Sequence, residues 1–274
     1  MEQVALCFTG WTVTPKRSDD RFRFHFNARR HAPGPKTVLG ETIHFPDDPI
    51  REGERVLDLL AEPPSTAKFI SGKLCRTFVS DQPPDALVER VAGAFSNSGG
   101  DIRLTLAEIF ASSEFRDSAD QKFRRPIDYV AAALRVSDVD PGEREWRAIA
   151  KGLEALGQTP FGQPSPDGYP DVAAAWVNTN ALITRWNMAA TVMLFARKAG
   201  LFDNLPNDST PASLVDHLTD RLLFRRLETD DRETLIAFAA QGRAPDEPLP
   251  ARRLPLTAAG VSALMLASPY FQWQ

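Results

Sequence analysis

His31 and Lys36 lie five residues apart in RRHAPGPKTVLG, Arg29 to Gly40, where Pro33-Gly34-Pro35 makes the chain turn between them. An imidazole beside a positioned ammonium could move a proton and steady an oxyanion. A carboxylate would complete the set as a hydrolase-like site. The expected donors are Asp167 and Asp171, from the proline- and glycine-rich loop Gly157 to Pro170 and its exit. The same residues have a plainer reading, in which His31 and Lys36 bond loop carbonyls or an acidic neighbour while Gly34 and Gly40 supply positive φ. His25, His31 and His44 could converge as metal ligands, but alternation along strands accounts for His25 and His44 as surface residues. No nucleophile elbow, HExxH, phosphate loop or Cys/His ligand spacing occurs, so neither a metal nor a cofactor is expected.

The other candidate contacts are cationic or aromatic. Arg30 stands beside His31. Lys73 and Arg76 share a helix flank that either faces an anionic site under the turn or forms a solvated basic edge. Tyr169 and Trp176 follow proline turns, where aromatic side chains bind extended ligands or sugars, or simply anchor the loop. Arg185 is the conspicuous charge of an apolar helix. An ion pair with Asp167, Asp171 or another acid is expected to tie the long loop to the core there.

The elements that must position these groups are mainly helical. Only Arg21 to Phe45 abandons helical periodicity: Phe22, Phe24 and Phe26 alternate with Arg21, Arg23 and His25, and Leu39, Ile43 and Phe45 share a face of a second run. This predicts a β-hairpin with His31, Gly34 and Lys36 at its tip. Upstream, Glu2 to Phe8 reads as a helix stopped at Gly10. Downstream, helical stripes recur: Val56, Leu57 and Leu60; Ala67, Ile70, Leu74 and Phe78; Ile102, Leu106, Ile109 and Phe110. The apolar run from about Ala181 to Ala199 is expected at the centre of the fold. LTLAEIFASSEF and GVSALMLASPYF match in pattern, either as one helix-and-bend device used twice or as two amphipathic helices alike by chance. The expected fold is therefore mainly α, a multi-helical globular domain with one β-hairpin near the N-terminus and two related helical units. Residues 1–50 form the helix end and hairpin, 51–156 the first helical unit, 157–180 the long loop and 181–274 the second helical unit.

Composition bounds the function. With 274 residues, 43% of them hydrophobic, the chain can bury a full core. A net charge of −4, with basic residues interleaved among acids, argues against nucleic acid as a partner. No stretch supplies the roughly 20 apolar residues of a membrane helix. Two cysteines, Cys7 and Cys75, sit in apolar helical patterns and are expected as buried free thiols. The N-terminus carries no signal-peptide pattern, and Glu2 to Phe8 reads as the end of a helix begun in a longer natural chain.

Several segments together resemble the bacterial family called domain of unknown function 1800: TGWTV at Thr9 to Val13, RRHAPGPKTVLG at Arg29 to Gly40, SGKLCRTFVSD at Ser71 to Asp81, SGGD at Ser98 to Asp101 and ASPYFQ at Ala267 to Gln272. The resemblance covers essentially the whole chain and looks like the C-terminal part of such a protein. Its most specific run is His31-x-x-Gly34-x-Lys36-x-x-Leu39-Gly40. The position after the histidine is often acidic in the family and is Ala32 here, so the resemblance carries no His–Asp pair onto this chain. It implies a bacterial protein exported through a twin-arginine signal, and no established activity. The expected function is a non-enzymatic binding or assembly module whose partner is another exported bacterial protein or an extracellular polymer; the alternative is the hydrolase with His31, Lys36 and a loop carboxylate.

Overall fold

Proline starts, glycine stops and short polar caps set the helix ends along the chain. The computed structural model describes residues 1–14 and 22–274. It is mainly α with short antiparallel strands near the N-terminus, as the periodicity predicts. The chain divides into two compact units, Met1–Cys75 with Pro83–Ser113 and Arg76–Gln82 with Glu114–Gln274. Among the described residues no helix is long and apolar enough to cross a membrane.

The first unit opens with α1 (Glu2–Cys7), followed by β1 (Trp11–Val13) paired with β2 (Phe24–Phe26) and β3 (Lys36–Val38) paired with β4 (Glu41–Ile43). Each of the two extended runs thus finds a partner nearer than the other run. Leu39 and Gly40 both take positive φ, 52° and 86°, the pattern of a type I′ turn that reverses β3 into β4 within two residues. The TGWTV segment supplies the strand that Phe24–Phe26 needs. Arg21, the expected start of that strand, lies outside the described residues. Gly10 (φ 87°) makes the turn out of α1, where a Cβ would lie 2.8 Å from the Asn27 carbonyl oxygen.

Four helices complete this unit: α2 (Ile50–Ala61), α3 (Pro64–Phe78), which ends among the residues of the second unit, α4 (Asp85–Asn97) and α5 (Ile102–Ala111). In α4, Leu87, Val88, Val91 and Phe95 are buried, and Gly100 closes the end by donating to the Phe95 carbonyl at 2.8 Å. Asp101 then caps α5 through the Leu104 amide at 3.0 Å. Elsewhere the buried faces differ from the apolar stripes. Leu57 and Leu60 are half exposed, whereas Glu52, Gly53 and Val56 face inward. In α3 the buried line is Ala67, Ser71 and Cys75, and in α5 Ile102 and Phe110 stand half exposed while Thr105 and Ile109 are buried. The cause in α2 is visible: Gly53 admits the Trp11 ring, which would lie 2.5 Å from a Cβ, and Glu52 meets Lys36.

The second unit contains most of α6 (Ser113–Arg116), then α7 (Pro126–Ser137), α8 (Glu143–Ala155), α9 (Thr179–Lys198), α10 (Pro211–Leu222), α11 (Thr229–Ala240), α12 (Leu254–Ala267) and α13 (Pro269–Gln272). Asn178 caps α9 through the Ala181 amide at 2.9 Å. The helix runs along α12, with α7 and α8 also against it, so the expected central element is central to this unit. Met188, Val192 and Met193 of α9 share one core with Val261, Met265 and Leu266 of α12. The matched sequence patterns form one bend twice. Ser112 after α5 and Ser268 after α12 both hold extended backbone, and each donates hydroxyl and amide to the carbonyl three residues back. A four-residue helix follows each serine.

Candidate functional site

His31 and Lys36 do meet a carboxylate, and it is Glu52 at the start of α2. The 3-10 turn Ala28–Arg30, capped by the Asn27 side chain, delivers His31; β3 begins at Lys36 and points its ammonium inward. His31 Nδ1 lies 2.8 Å from the Thr9 carbonyl oxygen, so that nitrogen carries the hydrogen and donates. Nε2 stands 3.1 Å from Glu52 Oε2 and 3.2 Å from Lys36 Nζ. The Lys36 ammonium donates to Glu52 Oε2 and to the Ala32 carbonyl, both at 2.5 Å. Glu52 Oε1 accepts from the Phe45 amide at 3.1 Å, and His44 Nδ1 stands 3.7 Å away. The Thr9 hydroxyl donates to the Leu6 carbonyl at 2.6 Å and accepts from the Ala32 amide at 2.8 Å. Burial pushes the Glu52 carboxyl up, but hydrogen bonds from Lys36, the Phe45 amide and His31 outweigh it and hold the carboxyl below its ordinary value.

A second buried ammonium organises the other unit. Lys122 Nζ reaches Asp81 Oδ1 at 2.7 Å and, on Asp171, the backbone carbonyl at 2.9 Å and Oδ1 at 3.1 Å. Asp81 Oδ2 accepts from the Ala173 amide at 2.6 Å, and Asp171 Oδ2 from the Thr77 hydroxyl at 2.6 Å. Asp171 is therefore the bolt that fastens the end of the long loop. Asp167 is exposed in the turn before it. Among the described residues no group of three or more His, Cys, Asp or Glu side chains is placed to hold a metal ion.

Both networks draw on the segments that carry the family resemblance: Thr9, His31 and Lys36 in the first, Thr77 and Asp81 in the second. The family model described as protein of unknown function (DUF1800) matches residues 1–273. The chain belongs to the DUF1800 family. Nothing matches it among the curated proteins or among the solved structures.

The remaining candidates of this DUF1800 chain are dispersed. Arg30 is exposed, and Lys73 lies over the Phe69 ring at 5.0 Å on the surface of α3. Arg76 donates to the Asp81 carbonyl at 3.3 Å. Trp176 is buried and donates to the Pro170 carbonyl at 3.0 Å, while Tyr169 closes the loop on the Thr159 carbonyl at 2.9 Å. Arg185 is fully buried, with its guanidinium 4.3 Å from the Phe123 ring centre and 5.1 Å from that of Tyr129. It donates to the Arg124 carbonyl at 2.7 Å, with no carboxylate partner among the described residues. Burial pushes it down to about 10. The partners the sequence reading leaves out, Glu52, Asp81 and Lys122, carry weak local signals: Glu52 lies one helical turn before buried Val56, and Asp81 closes a quoted family segment.

Proposed function

We propose that this chain is a non-enzymatic binding or assembly module of an exported bacterial protein, acting on another exported protein or an extracellular polymer. The observation that supports the reading is that the constellation with catalytic residue types is shut. The side chains of His31, Lys36 and Glu52 are 6%, 2% and 3% exposed, and their polar atoms are spent on one another and on backbone. A general base has to come within hydrogen-bond reach of the proton it removes, and these groups present no open edge for that. They act as a pin joining the RRHAPGPK segment to α2. Export rests on the family resemblance. The test is an assay of purified protein against ester, peptide, glycoside and phosphoester substrates beside a Glu52→Gln variant. No turnover distinguishing the two is expected; turnover lost in a variant that keeps the wild-type circular dichroism spectrum would return the site to the hydrolase reading, with Glu52 as its carboxylate in place of Asp167 or Asp171.

A further inference from the structure

The ASPYFQ segment forms one side of an open cavity of about 400 Å³ in the second unit. Its apolar surface comes from Leu227, Leu235, Leu264, Pro269 and the rings of Tyr270 and Trp273, with Leu264 41% exposed although it belongs to the core helix α12. A concave apolar surface bordered by a few convergent polar groups is the usual form of a binding site. Three charged side chains border this one: Asp120, Arg225 and Asp231.

Their pairing gives the cavity its sign. Arg225 grips Asp120 with both guanidinium nitrogens and lies over the Tyr270 ring, 5.4 Å from its centre. Its charge is already answered. The Tyr270 hydroxyl accepts from the Glu228 amide at 3.0 Å and donates to Asp231 Oδ2 at 2.6 Å, which holds Asp231 at the rim. Asp231 Oδ1 has no hydrogen-bond partner among the described residues. Two carboxylates against one guanidinium leave the wall with an excess negative charge beside an apolar floor.

We propose that this cavity receives, from a partner protein, a peptide segment that places an aromatic or aliphatic side chain next to a lysine or arginine. The apolar side chain lies on Leu227, Leu235 and Leu264, and the cation takes the open oxygen of Asp231. This rests on the binding-module reading and specifies its partner. An anionic segment would face Asp231 and Asp120, with the Arg225 guanidinium of the wall already engaged.

The probes are acetyl-Phe-Lys-amide, acetyl-Phe-Glu-amide and phenethylamine, titrated into the whole chain and followed by saturation-transfer NMR. Saturable binding of the lysine peptide is expected, with the glutamate peptide weaker. Asp231→Asn, which preserves an acceptor for Tyr270, should weaken the lysine peptide by about fivefold, the scale of one exposed ion pair. Leu264→Arg should abolish binding. The proposal is overturned if no probe binds, if the glutamate peptide binds equally well, or if Leu264→Arg leaves binding intact; equal or tighter binding of phenethylamine overturns the partner-protein source. Failure here without enzymatic turnover would remove this cavity while leaving the binding-module reading in place.

Discussion

Glu52 concentrates the residue-scale energetics of the first unit. It is a buried carboxylate held by Lys36, His31 and the Phe45 amide. Removing one member of a buried ion pair strands the other, and Glu52→Gln or Lys36→Met should cost about 3–5 kcal/mol. The carboxyl sits below its ordinary value, so its contribution is complete above the unfolded value of about 4.3 and is lost as pH falls through the lower folded value. Urea unfolding at pH 7 and pH 3, followed by the fluorescence of Trp11, the tryptophan of the first unit, checks this. The gap between wild type and Glu52→Gln should narrow at pH 3; an unchanged gap would mean that the ion pair is not its source. Arg185 differs in kind, because aromatic faces and one carbonyl surround it where the sequence suggested an acid.

Among the elements, the loop from Gly157 to Asn178 lacks long regular structure yet is fastened along its length. Gln158 accepts from the Ile127 amide at 2.8 Å, Tyr169 and Trp176 bond loop carbonyls, and Asp171 and Ala173 are fixed through Lys122 and Asp81. Lys122→Met should cost about 3 kcal/mol or more, since two carboxylates lose their shared cation. Amide hydrogen exchange should accelerate in residues 168–176 before it does in α9. Uniform acceleration across the second unit would show instead that the loop and the helical core open together. The prolines and glycines made this loop legible as a loop. They gave no indication of which charges hold it, because Lys122 stands 49 residues from Asp171 and 41 from Asp81.

For the molecule as a whole, Cys7 and Cys75 are fully buried thiols in the first unit. Burial and the nearby charge of Glu52 push the Cys7 thiol up, further reducing its thiolate. Both should react with Ellman's reagent at least about 10³-fold more slowly than in the unfolded chain, tracking the opening of that unit; fast labelling in native buffer would contradict the burial. Much of this architecture is written locally. The Asn178 and Asp101 caps, the Pro211 start, the glycine stops and the serine bends act through backbone sterics and hydrogen bonds within a few residues, so the sequence alone determined the mainly helical fold, the central α9 and the family. Tertiary structure alone decided that Phe24–Phe26 pairs with Trp11–Val13, that α2 turns Glu52 inward instead of Leu57 and Leu60, and that Arg76–Gln82 joins the second unit with Asp81 on Lys122. Those outcomes depend on which groups come within bonding distance across long separations of chain. A buried charge faces inward only when its partner arrives to offset its desolvation, and no local pattern announces the partner.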